Sequence, residues 1–193
     1  MTALRQVLLT GDNIKAARDI RQAYIDALVE LQVCLWQEML EMFSAQYPEM
    51  YKHISKDSVS NPHIVSAKVS DFYRKGSKYF GVFFTVPGFS ERLTVGIEME
   101  NRLYVGVRMN KEDGLEERER AKMLLNSAGI TGSETQWWPL WYWHGQVVNF
   151  REPDEYFLDI LISKEKRLQF IAPYVAEVAK MWGVLKNSQS DLR

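Results

Sequence analysis

Residues 136–145, QWWPLWYWHG, hold four of the chain's six tryptophans next to a proline and one of its three histidines. Indole faces are natural stacking platforms for nucleobases and other flat ligands. Gln136, His144, Gln146 and Asn149 lie close enough in sequence to supply polar contacts. Each aromatic side chain presents about 150–250 Å², so four bare indoles would exceed the roughly 300–600 Å² apolar patch of a typical soluble monomer. Most of them must therefore be covered. Pro139 cannot donate to a strand ladder, which starts the strand proper at Leu140. Trp141 and Trp143 then share one face, and Leu140, Tyr142 and His144 the other. Two readings stay open: an edge strand covered on both faces, or an aromatic wall for a ligand.

Other chemistry finds less support. His53, His63 and His144 are not spaced as a zinc-ligand set, and Cys34 lies far from all three in sequence. GFSERLTVG and GVRMNKEDG lack the Walker pattern of a phosphate loop. Glu98 and Glu100 fall on one strand face, where paired carboxylates hold a divalent ion such as Mg²⁺ or simply face solvent.

The elements that must position these residues follow from hydrophobic period. YFGVFFTV, RLTVGIEM and RLYVGVRM read as three strands joined by turns at PGFS and ENR. Matching apolar to apolar residues pairs Phe84 with Leu93 and Met109, Val82 with Val95 and Val107, and Phe80 with Ile97 and Val105. Met99 and Leu103 close the second hairpin. On the other face this register sets Gly81, Gly96 and Gly106 side by side, with Thr85, Thr94, Glu98, Tyr104 and Arg108 on the same surface. A row of glycines marks close approach by a ligand or another backbone and predicts a trough roughly 10 Å across. The candidate ligand-binding set is thus Gly81, Gly96, Gly106, Tyr104, Arg108, Trp141, Trp143 and His144, with no catalytic residue and no resident cofactor.

Between Gly11 and Pro48 there is neither glycine nor proline, which predicts one helix from about 13 to 46 with Asp12 or Asn13 as cap. Ile20, Tyr24, Ala27, Leu31, Leu35, Met39 and Met42 make its apolar stripe, with Trp36 beside it. Leu168, Ile171, Val175, Val178, Trp182 and Leu185 make a matching stripe near the C-terminus, where Pro173 marks a kink or an early turn. These two stripes suit pairing within one chain, with a protein partner, or in a homo-oligomer. A charged helix ending at Gly129 offers Leu115, Met123, Leu124 and Leu125 for burial, and a short helix opens at Pro153, Asp154 and Glu155.

The 193 residues, 46% apolar and 25% charged, predict a single α+β domain over 1–193. Its antiparallel sheet of three to five strands packs against the long N-terminal helix and the C-terminal helices. A formal charge of -1 supplies no global field for nucleic acid, leaving only a local patch for it. The lone cysteine points to a reducing, cytoplasmic compartment. MTALRQVLLTGDN is unlike a signal peptide, and no stretch approaches a bilayer span.

Through LTVGIEMENRLYVGVRMN, the Trp-rich segment and NFREPDEYFLDIL, the chain resembles the C-terminal region of prokaryotic PD-(D/E)XK nuclease superfamily proteins of phage-defence and mobile-element type. That resemblance implies metal-dependent DNA cleavage, with an acidic residue and a D/E-x-K strand holding the ion. No Asp or Glu here is followed two positions later by Lys. The expectation is therefore a non-catalytic recognition or interaction module of the kind that accompanies a nuclease core. Two other readings are a degenerate DNA nuclease using Mg²⁺ on Glu98 and Glu100, and a small-ligand or nucleobase-binding domain with a Trp-rich wall.

Overall fold

The computed structural model describes residues 11–146 and 148–188. Most of the N-terminal stretch read above as unlike a signal peptide, residues 1–10, lies outside them. The elements in chain order are α1 (Gly11–Gln46), α2 (Pro48–Tyr51), α3 (Pro62–Lys75), β1 (Phe80–Thr85), β2 (Thr94–Met99) and β3 (Leu103–Arg108). A 3-10 turn (Lys111–Asp113) leads to α4 (Leu115–Ser127), β4 (Leu140–Trp143), α5 (Glu155–Ile162) and α6 (Lys164–Asn187). The four strands form one antiparallel sheet in sequential order, giving the α+β architecture expected. Among the described residues no helix is long and apolar enough to cross a membrane.

Alternation divides the sheet into two unlike faces. Phe80, Val82, Phe84, Val95, Ile97, Met99, Val105 and Val107 face the helices and join Leu35, Trp36, Met39, Phe43, Ile171, Val175 and Val178 in the main core. The long helices α1 and α6 do pack together within the chain. A buried ion pair fixes their contact: Arg167 grips Glu38 through two hydrogen bonds of 2.6 and 2.7 Å, and the same guanidinium donates to the carbonyls of Leu161 and Ile162 at the end of α5.

The buried stripe of α1 is rotated from the expected one. It runs through Leu28, Gln32, Leu35, Trp36, Met39 and Phe43, while Ile20 (71% exposed), Tyr24 and Ala27 face solvent. Gln32 and Glu38 lie inside the contact face, so the polar pattern disguised it. The first turns of α1 extend past the core. Helix α6 continues through Pro173 as one element; it buries Phe170, Tyr174 and Met181 besides the expected Ile171, Val175, Val178, Trp182 and Leu185, and leaves Leu168 half-buried. On α4, Leu125 is buried and Leu124 half-buried as expected, Leu115 and Met123 are exposed, and Arg118 and Ala121 are buried in their place. Helix α3 was not anticipated; Asn61 caps it by accepting from the Ile64 amide (3.0 Å), with Pro62 in its first turn.

The β2–β3 register is the expected one, with Val95 opposite Val107, Gly96 opposite Gly106 and Met99 opposite Leu103. The β1–β2 register differs by two residues: Phe80 lies opposite Met99, Val82 opposite Ile97 and Phe84 opposite Val95. A two-residue slip keeps every side chain on its face, so alternation alone cannot exclude it. It does break the glycine row. Gly81 lies opposite Glu98, and Phe83 takes the place beside Gly96.

Candidate functional site

The second face of the sheet carries its own small apolar cluster of Phe83, Tyr104 and Trp138, with Trp141 packed against it. β4 sets Trp141 opposite Gly106 and Trp143 opposite Tyr104, and turns Leu140 and Tyr142 toward the helices. The glycines are not the floor of an open trough. A Cβ on Gly96 would lie 2.2 Å from the Val82 carbonyl oxygen and 2.6 Å from Phe83 Cδ1. One on Gly106 would lie 2.3 Å from the Leu140 carbonyl oxygen and 2.9 Å from the Trp141 side chain. Neighbouring strands approach these positions closely, and Phe83 and Trp141 fold over them as aromatics commonly do over strand glycines. Gly81, Gly96 and Gly106 therefore shape the sheet and do not line the cavity.

The cavity lies beside this cluster. It measures about 480 Å³ and is lined by Tyr79, Tyr104, Trp137, Trp138, Trp141 and Trp143, with Glu98, Glu100, Arg108 and Thr135 as its polar groups. Coverage of the four clustered indoles is uneven: Trp138 is 6% exposed and Trp141 half-buried, while Trp143 is 39% and Trp137 53% exposed. The edge strand is thus covered on its helix side and open toward the cavity.

Residues 133–138 form the rim by doubling back on β4. Ser133 and Trp141 exchange backbone hydrogen bonds of 2.8 and 2.9 Å, and Thr135 N–H donates to the Trp138 carbonyl at 2.9 Å. Met109 and Lys111 amides bind the carbonyls of Trp137 and Gln136, both at 2.9 Å, tying the loop to the end of β3. Arg118, fully buried on α4, is the clamp. Its guanidinium donates to the carbonyls of Met109 (2.7 Å), Gln136 (3.0 Å), Trp138 (3.1 Å) and Thr135, and to the Glu134 carboxylate (3.0 Å). The fixed fork of five donors suits arginine to this role. Sequence reasoning missed Arg118 because a charged surface helix gives no sign that one arginine turns inward.

The rings meet edge to face. Tyr104 lies 5.1 Å from Trp138, 5.4 Å from Trp141 and 5.5 Å from Trp143, at interplanar angles of 71°, 67° and 83°; Trp141 and Trp143 are 5.4 Å apart at 88°. Among them Glu98 is buried on β2 and accepts a hydrogen bond from the Tyr104 hydroxyl. Burial pushes the Glu98 carboxyl above its ordinary value, against the opposing pull of that hydrogen bond and of Arg108. Burial together with the Glu98 charge also raises the Tyr104 phenol well above its usual range, so it stays a donor. Glu100 is more open; its hydrogen bond from Lys78 (2.9 Å) holds its carboxyl below the ordinary value. Arg108 stacks over Phe83 at 4.9 Å.

Of the expected ligand-binding set, the fold brings Tyr104, Arg108, Trp141 and Trp143 to one cavity, together with the carboxylates Glu98 and Glu100. His144 is on the other side of β4, against Tyr142 and Tyr174. Trp137, Trp138 and Tyr79 complete the cavity instead. A larger cleft, about 680 Å³, adjoins it across Arg108 and Trp137; charges of both signs line it, and its Arg92 is held by Asp113 at 2.8 Å. Among the described residues no three His, Cys, Asp or Glu side chains converge as a metal-ligand set.

Within the NFREPDEYFLDIL stretch, three residues hold the fold. Phe150 is core, Arg151 donates to Asn101 and to the carbonyls of Phe72 and Ser77, and Asp154 caps α5 through the Phe157 amide at 2.8 Å. No protein-family model, no curated protein and no solved structure matches the chain.

Proposed function

We propose that this protein is a non-catalytic recognition domain whose ligand site is the aromatic cavity on the open face of the sheet. One observation carries the reading: four tryptophans and Tyr104 enclose a buried carboxylate in a cavity of about 480 Å³, within the roughly 300–1,000 Å³ of small-ligand sites. A fold that needed those indoles only as core would not leave Trp137 and Trp143 open at its rim. A mostly apolar lining with a few directed polar groups is the ordinary composition of such a site.

The reading keeps the sequence expectation of a recognition module and favours a small organic ligand or a side chain over duplex DNA. The partner contact expected through the long helices is left to the exposed first turns of α1, since the rest of that helix packs against its own chain. In the nuclease setting suggested by the resemblance, such a domain would select a target and leave cutting to a separate core.

The test combines two measurements. Supercoiled plasmid incubated with Mg²⁺ or Mn²⁺ should stay intact; nicking that is lost in Glu98→Ala would overturn the reading in favour of a nuclease. A bound small organic ligand at a hundredfold excess over its Kd stabilises the fold by about 2.7 kcal/mol, a rise of roughly 5–10 °C in Tm for a domain of this size. Trp143→Ala should remove that rise. A ligand that stabilises wild type and Trp143→Ala equally would place recognition elsewhere.

A further inference from the structure

Resting on that reading, we infer that the cavity recognises an organic cation, an alkylammonium group held against the indole faces with Glu98 as its counter-charge. Ring geometry argues for this first. Stacking a flat nucleobase needs walls that run parallel, and here Trp138, Trp141 and Trp143 stand at 67–83° to Tyr104, with Trp141 and Trp143 at 88° to each other. None of these ring pairs forms the parallel walls of a stacking slot. The electron-rich faces of an aromatic lining attract a compact cation, and tryptophan, which supplies four of the lining residues, is the strongest contributor.

Charge gives the second argument. A buried carboxylate is costly unless it is paired, yet among the described residues Glu98 has no ion pair and is held by the Tyr104 hydroxyl alone. Its nearest cationic neighbour, Arg108, stacks on Phe83. Lys78 serves Glu100. A cationic ligand would supply the charge that the fold leaves out, beside a carboxylate that is itself buried, where attraction is stronger than in bulk water. A neutral or anionic ligand would leave Glu98 uncompensated.

The test titrates the whole protein with choline and with 3,3-dimethylbutan-1-ol, which replaces the ammonium nitrogen by carbon at nearly constant shape, following tryptophan fluorescence and heat. Choline should bind about tenfold or more tighter than the alcohol, the scale of a desolvated cation–π contact. Glu98→Gln, which keeps the Tyr104 hydrogen bond, should lose most of that preference; Trp143→Ala, at an exposed position, should weaken choline by a comparable factor with the fold intact. A trimethyllysine peptide binding at least as much tighter than choline would assign the cation to a protein side chain, and the reverse order to a free small molecule; both support the inference. If the alcohol binds as well as choline, the cavity remains a ligand site and the cation is refuted. If neither perturbs the cavity tryptophans, the site itself falls.

Discussion

Replacing Arg118 by methionine keeps an unbranched apolar stem on α4 and removes every donor that holds the rim of the cavity. Four backbone carbonyls and the Glu134 carboxylate lose a partner. Those of Gln136 and Thr135 and the Glu134 side chain lie at the surface and can rehydrate, whereas the bonds to Met109 and Trp138 are buried. The Met109 carbonyl is left unpaired at a cost of about 1–3 kcal/mol, the Trp138 carbonyl keeps its bond from the Thr135 amide and loses a second one worth about 0.5–1.5 kcal/mol, and relief of the guanidinium's own desolvation offsets part of this. A net loss of about 1–3 kcal/mol corresponds to a fall of roughly 2–12 °C in Tm for a domain of this size. The damage should be local at first, because the clamp's acceptors lie in one loop, residues 134–138, and at Met109 just past β3. Far-UV circular dichroism should be unchanged at low temperature while tryptophan emission shifts to the red as Trp138 loses its cover. An Arg118→Met protein with native emission and a Tm within 1 °C or so of wild type would refute the claim that this side chain holds the rim.

Three further outcomes follow from the packing. Arg167→Met strands the Glu38 carboxylate between α1 and α6 and should cost about 3–5 kcal/mol in urea unfolding, much of it recovered in Glu38→Leu/Arg167→Leu; a cost below about 1 kcal/mol would mean the pair is hydrated. Gly96→Val should destabilise by at least the roughly 1–3 kcal/mol of overpacking, since its Cβ would meet the Val82 carbonyl and Phe83, and unchanged stability would contradict the β1–β2 register. Glu98 binds its proton more tightly folded than unfolded, so its contribution makes stability fall as pH rises from the ordinary carboxylate value through the raised one. Tyr104, Arg108 and Glu100 face it, and Glu100, with its lowered value, acts in the opposite sense at lower pH. Melting curves of Glu98→Gln and wild type should therefore diverge with rising pH, in favour of the variant; parallel curves would contradict the burial of a charged Glu98.

Faces were easier to read than registers. The β2–β3 pairing was legible because a short turn leaves one way to match two apolar sets. At β1–β2 the longer connection, residues 86–93, tolerates a slip of two, and faces do not change under it. A signal existed: the expected register sets Met99 level with Lys78, whereas the observed one sets it opposite Phe80 and brings the buried Val86 level with Leu93. Trp141 and Trp143 fell on one face as read, since Pro139 fixes where β4 can begin. The cavity itself was only half legible. Its wall shows in sequence, but its rim depends on Arg118, its floor on burial of Glu98, and both are inward turns of charged residues that pattern reading assigns to solvent.

The central claim concerns which tryptophans meet the ligand, and the chain contains its own controls. Four indoles line the cavity, while Trp36 is sealed in the core and the Trp182 N–H is bonded to the Thr85 carbonyl at 2.9 Å. The six indole N–H resonances, assigned by single Trp→Phe substitutions and followed by ¹⁵N-resolved NMR during titration with choline and with 3,3-dimethylbutan-1-ol, separate the two groups. The account predicts saturable shifts of Trp137, Trp138, Trp141 and Trp143 with Trp36 and Trp182 unmoved. Shifts in all six together, or in none, would contradict it.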